Sequence, residues 1–125
     1  MIKETITYVD YNGTERTSDY YFNLNEAEIM EMEMGTDGGL AEMIQNIVKA
    51  QDAPAIIKIF KDLVLKAYGE KSADGKRFQK SAEISAAFEQ SPAYPIIFMK
   101  LARDADAAAK FVNGIMPATN TVATI

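Results

Sequence analysis

Asp104 and Asp106 are a close acidic pair, and carboxylates at that spacing could offer oxygens to a divalent cation. They also open an alanine-rich stretch where a helix would begin. A helix N-terminus draws acids by its dipole, so capping accounts for the pair without a metal. Gly35, Gly38 and Gly39 resemble the start of a phosphate loop, but neither GxGxxG nor GxxxxGK[ST] occurs, and a turn is the better reading. Lys76, Arg77 and Lys80 could receive an acidic partner, or the acidic first third of another copy; a solvated loop is the plainer account. The chain has no histidine and no cysteine. That removes the usual zinc ligands, His-based triads, thiolate nucleophiles and disulfides. An enzyme would have to work with Asp, Glu, Lys, Ser or Tyr, and no paired acid or activated serine has a plausible neighbour. No catalytic residue, metal ligand or cofactor is expected.

The remaining candidates concern binding. Met30, Met32, Met34 and Met43 cluster in the first part of the chain. Methionine fills irregular gaps in cores, and it also serves surfaces that accept varied apolar partners. On a helix Met30 and Met34 share one face, while Ile29 and Met32 lie on another. Leu65 is a further candidate exposed apolar residue, because it falls on the charged side of its own helix.

The elements that must position these residues can be read in order. Residues 2–9 alternate, with Ile2, Ile6 and Tyr8 on one side and Lys3, Thr5 and Thr7 on the other; residues 17–24 place Tyr20, Phe22 and Leu24 together. Asn12-Gly13 between them predicts a hairpin. A two-residue loop would split the apolar set across two faces. A three-residue loop, Tyr11-Asn12-Gly13 with Gly13 left-handed, sets Ile2 opposite Phe22 and keeps Ile2, Ile6, Tyr20 and Phe22 on one buried face. Asn25 with Glu28 reads as a capping box starting a helix that ends at Gly35. Strict alternation from Glu28 to Met34 also fits a strand, but Glu and Met favour a helix. After a turn at 36–39, Leu40, Met43, Ile44, Ile47 and Val48 repeat as an amphipathic helix.

Pro54 to Tyr68 is the longest apolar run. Ile56, Ile59, Phe60, Leu63, Val64 and Ala67 share a face broad enough to need several neighbours, opposite Lys58, Asp62 and Lys66. Phe60 and Leu63 sit mid-stripe, and Gly69 would stop the helix. The run is too short and too charged to span a membrane. Residues 69–80 read as a polar surface loop with a turn at Asp74-Gly75. Ser81 caps a short helix carrying Ile84, Ala87 and Phe88. Ser91-Pro92 opens another with Ile96, Ile97, Met99 and Leu101. Asp104 caps a last helix closed at Gly114, with Ile115 making the contact of a Schellman ending.

Composition is that of an ordinary globular protein, 48% hydrophobic and 25% charged over 125 residues. The expected fold class is α+β, mostly α: an N-terminal antiparallel β-hairpin followed by a bundle of about five or six helices. Residues 1–117 form one α-rich domain and 118–125 a flexible C-terminal tail. Residues 1–42 hold ten acids against Lys3 and Arg16, a net −8 that leaves +3 for the rest of a chain whose total is −5. So acidic a front argues against nucleic acid as a partner. The start, MIKETITYVDY, lacks an apolar signal core, and an intracellular protein is expected.

Three stretches carry a family resemblance: TYVDYNGTERTSDYYFNLNEAEIMEME, then GGLAEMIQNIVKAQDAPAIIKIFKDLVLKAYGEKSADGKRF, then FMKLARDADAAAKFVNGIMP. Together they resemble the small tail assembly chaperone of long-tailed, non-contractile (siphovirus-type) bacteriophages. The landmarks are the hairpin, the Gly-Gly turn before an AEMI helix, the KAYG–polar loop–Phe junction and the late DADAAAxFVxGI helix. None is catalytic, and the likeness runs from the first strand to Pro117. It implies a non-enzymatic protein of the host cell cytoplasm, absent from the mature virion. Such a protein binds the tape measure protein, keeps it soluble and promotes assembly of the tail tube. It also implies other tail proteins as partners, among them a frameshifted longer form. Coating a long chain needs many copies, which makes the protein a homo-oligomer. The resemblance fixes no binding residue; from their own types and spacing Met30, Met32, Met34, Met43 and Leu65 are expected to bind the partner, the methionines through the Glu26–Met34 and Leu40–Val48 helices and Leu65 from the 54–68 helix. The alternative is a structural virion protein, such as a tail terminator or head–tail connector component.

Overall fold

A computed structural model describes residues 1–35 and 53–116. Among these the order is β1 (Ile2–Val9), β2 (Glu15–Phe22), α1 (Glu26–Met34), α2 (Ala53–Ala67), β3 (Tyr68–Lys71), β4 (Phe78–Gln79), α3 (Ala82–Glu89), α4 (Ala93–Arg103) and α5 (Ala105–Ile115). The chain is α+β and mostly helical, as its patterning requires. The segments expected at 36–39, Leu40–Val48 and 118–125 lie outside the described residues.

The hairpin takes the three-residue loop. Ile2 pairs with Phe22, Ile6 with Ser18 and Tyr8 with Arg16. Gly13 has φ +83°, which the loop demands. Asp10 organises this turn. Its Oδ1 accepts from the Asn12 and Thr14 amides, each at 2.9 Å, and its Oδ2 pairs with Arg16. The Arg16 guanidinium holds the Asp10 carboxyl below the usual carboxylate range. Ile6, Tyr20 and Phe22 are buried, Ile2 packs against them half-buried, and Thr5 is exposed.

The sheet is larger than a hairpin. β3 follows α2 without a break and pairs with β2, placing Tyr21 opposite Gly69 and Phe22 opposite Tyr68; β4 then pairs with β3, in the order β1-β2-β3-β4. The expected polar loop at 69–80 is therefore a second small hairpin. Its turn falls where the sequence puts it: Asp74 Oδ1 accepts from Ser72 Oγ at 2.6 Å and from the Lys76 amide at 3.0 Å. The helix ends at Ala67, just before Gly69 as expected, but Gly69 lies in β3 and not in a loop. A Cβ there would come within 2.6 Å of the Phe78 ring, so its bareness seats β4 on β3.

The helix ends show the same contrast. Asn25 and Glu28 make the capping box, and Gly35 is the C-cap of α1. Ser81 accepts from the Ile84 amide, and Asp104 accepts from Asp106 and Ala107. Ser91 does not cap α4; its hydroxyl donates back to the Phe88 carbonyl at 2.7 Å, and Pro92 occupies the N-cap position. Gly114 does not end α5, which runs on through the buried Ile115. A side chain at Gly114 would collide with Ile2, so this glycine lets β1 lie against the helix.

The core gathers Ile6, Tyr20 and Phe22 from the hairpin, Leu24 from the link to α1, Leu63, Val64 and Ala67 from α2, Phe88 from α3, Ala93, Ile97 and Leu101 from α4, and Phe111 and Ile115 from α5. Phe22 is its centre. It is fully buried, and its ring lies 5.7 Å from Tyr68, 5.7 Å from Phe88 and 5.2 Å from Phe111. Among the described side chains, the apolar stripe of α2 is fully buried at Leu63, Val64 and Ala67, toward its C-terminal end. Ile59 and Phe60 are half-buried and Ile57 is 50% exposed. Phe22→Ala should therefore cost about 3–5 kcal/mol and Leu63→Ala about 2–5 kcal/mol, with Phe60→Ala at least ~1 kcal/mol milder than Phe22→Ala. Denaturant titration checks the order; a Phe60 variant as damaged as the Phe22 variant would put the centre in α2 instead.

Candidate functional site

The predicted binding residues do not all meet on one surface. Met30 and Met34 share the outer face of α1, 64% and 82% exposed. Met32 and Ile29 turn inward and pack half-buried against the core. Leu65 is also half-buried against the core rather than exposed. It borders a cleft of about 320 Å³ with Glu28, Lys66, Tyr68, Lys80, Ser81 and Ser85, which brings it beside the base of α1. Met43 lies outside the described residues.

Among the described residues few contacts hold α1. It has no fully buried side chain. Beside Ile29 and Met32, Lys80 anchors it. That ammonium donates to the Asn23 carbonyl at 2.7 Å and to both oxygens of Glu28, at 2.9 and 2.8 Å. Glu28 simultaneously accepts from the Asn25 amide at 3.0 Å. Both side chains are about four-fifths withdrawn from water, at 23% and 21% exposed. Lys80 is thus no part of a solvated basic loop; Lys76 and Arg77 are exposed, whereas Lys80 is spent on the body of the fold. Glu26, Glu31 and Glu33 remain at the surface beside Met30 and Met34. The result is a methionine-tipped, acid-rimmed ridge.

A second apolar surface has no counterpart in the sequence reading. Ile57, Phe60, Phe98, Leu101, Ala102, Arg103 and Ala108 line a cleft of about 350 Å³ between α2, α4 and α5. The residues at 57, 60 and 98 belong to good helical stripes, and periodicity assigns such residues to a core without saying whether another element covers them. Exposure of Ile96 and Met99 on α4 escapes the pattern for the same reason.

The geometry does not favour acid–base work. Burial pushes the phenols of Tyr20, Tyr68 and Tyr94 up, away from neutrality, so they stay protonated. Asp10 and Asp74 are held down by hydrogen bonds and stay ionised. Asp104 is engaged as a cap. Among the described residues no three acidic side chains converge as a metal would require, and no helix is long and apolar enough to cross a membrane.

Residues 1–122 match the family described as phage tail assembly chaperone. No curated protein and no solved structure matches the chain.

The Lys80 anchor makes a testable demand. Lys80→Met keeps the stem and removes the charge, and hydrogen bonds to charged groups contribute about 1.5–3 kcal/mol. Amide exchange within 26–34 should accelerate by about tenfold or more, since ~1.4 kcal/mol is a factor of ten. Exchange in β1 and β2 should hardly change. Unaltered exchange in α1 would show that Lys80 does not anchor it.

Proposed function

The chain belongs to the phage tail assembly chaperone family, and from that membership we propose that it binds the tape measure protein, keeps it soluble and promotes assembly of the tail tube around it. It acts without catalysis, in the cytoplasm of the infected cell, and is left out of the finished virion. A frameshifted longer form and other tail proteins act with it, and several copies coat one tape measure chain.

The observation that supports this reading is the ridge of α1. A tape measure protein is long, helical and partly apolar, and before the tube closes it exposes apolar surface to water. Met30 and Met34 offer flexible, polarisable side chains that adapt to varied neighbours. The surrounding Glu26, Glu31 and Glu33 keep the free protein soluble and repel other copies approaching through the same ridge.

Co-expression tests it. Wild type should hold the tape measure protein in the soluble fraction, and Met30→Glu/Met34→Glu, with an unchanged melting curve, should not. Equal solubilisation by the double variant would remove the ridge from the binding surface. Failure of the wild type to bind would remove the tape measure protein as partner. Persistence of the protein in purified particles would favour a structural virion role.

A further inference from the structure

We propose that β1 is the interface between copies of this chain, two β1 strands pairing antiparallel about a twofold axis to join two four-stranded sheets. This deepens the self-association within the proposed function, and it is tested on the purified chain alone, so it can fail or hold irrespective of tape measure binding.

β1 is the edge of the sheet and is eight residues long. Edge strands are ordinarily blunted by proline, a bulge, shortness or several charges. β1 has no proline, and its register with β2 runs unbroken from Ile2 to Val9. The opposite edge, β4, is only two residues long.

The polar groups on offer can be identified. The Asp10 amide donates to the Thr14 carbonyl at 2.8 Å, so the even-numbered residues of β1 occupy the positions bonded to β2. The amides and carbonyls of Lys3, Thr5, Thr7 and Val9 therefore point away from the sheet. Among the described residues no element pairs with them. All four side chains are exposed, Val9 at 60%.

A second copy fits this edge in one register better than in its neighbours. With Lys3 opposite Val9 of the second copy and Thr5 opposite its Thr7, every outward amide meets a carbonyl and every outward carbonyl an amide. Glu4 then faces Tyr8, and Ile6 faces Ile6 across the axis. No like charges stand opposite one another. Slid one way, Val9 would meet Met1, whose ammonium is already held by the Gly114 carbonyl at 3.1 Å. Slid the other way, Glu4 would meet Asp10, and two acids would face each other. The solvent faces also continue: Thr5 beside Asp19 and Thr7 beside Thr17 already form a polar ladder across β1 and β2, which the second copy extends with threonines of its own.

Sedimentation equilibrium of the purified chain should give twice the monomer mass. Thr5→Lys/Thr7→Lys crowds four added ammonium groups at the axis and should weaken the dimer at least tenfold, with an unchanged circular dichroism spectrum. The absence of cysteine supplies a second reading that does not depend on that variant. A mixture of Thr5→Cys and Thr7→Cys chains should cross-link with a short bis-maleimide into the mixed pair, well above either chain alone. A wild type that remains monomeric overturns the proposal. So does a dimer that survives the lysines, or one that gives no mixed cross-link.

Discussion

The segment from Phe22 to Asn25 holds the structure together, and it does so mainly through its backbone. Helix C-termini leave carbonyls without partners, and burying them unsatisfied is costly. Here the Asn23 amide donates to the Ala67 carbonyl at the end of α2, and the Leu24 amide donates to the Ile115 carbonyl at the end of α5, both at 2.8 Å. The Asn23 carbonyl receives the Lys80 ammonium, and Asn25 caps α1. Phe22 and Leu24 on either side are fully buried. Four residues thus bind two helix ends, start a third helix and fill the middle of the core. Around Phe22 the aromatic contacts run outward: Tyr68 stacks on Phe88 at 4.1 Å and 14°, Phe88 meets Tyr94 edge-on, and Tyr20 leans on Phe88 at 5.5 Å.

What the sequence makes legible is whatever is local. The hairpin register follows from a period of two and a three-residue turn, because a slip of one would split Ile6 from Tyr20 and Phe22 across two faces. The caps at Asn25, Ser81 and Asp104 are legible because a side chain acts on amides within three residues of itself. What fails is what depends on distant partners. Gly114 looks like a helix stop in isolation, and Gly69 like the start of a loop, but their meaning comes from Ile2 and Phe78. β3 and β4 have little hydrophobic alternation and are strands because β2 offers an edge. Lys80 looks like one basic loop residue among three until the fold sets it beside Glu28.

The candidate surface divides the same way. The separation of Met30 and Met34 from Met32 is simple helical spacing and could be read directly. The placement of Leu65 could not, since it depends on Glu28, Tyr68, Lys80 and the start of α3 walling in a cleft that the residues of α2 alone do not predict. The half-buried state of Phe60 is likewise set by α4 and α5 and not by its own helix. An apolar stripe says that a side chain can be buried; only the arrangement of neighbours says that it is.

The bond between Leu24 and Ile115 has a kinetic consequence. Its two ends are far apart in the sequence, and so are Met1 and Gly114, whose contact spans 113 positions. Contacts of such long separation form late, since the loop between them must close first. On the ribosome the hairpin is made before α5, and Phe22 and Leu24 have no complete cavity to enter until synthesis has passed Ile115. During that interval the hairpin must wait with its apolar face uncovered. A partner engaged before the last helix appears would therefore meet an unfinished protein.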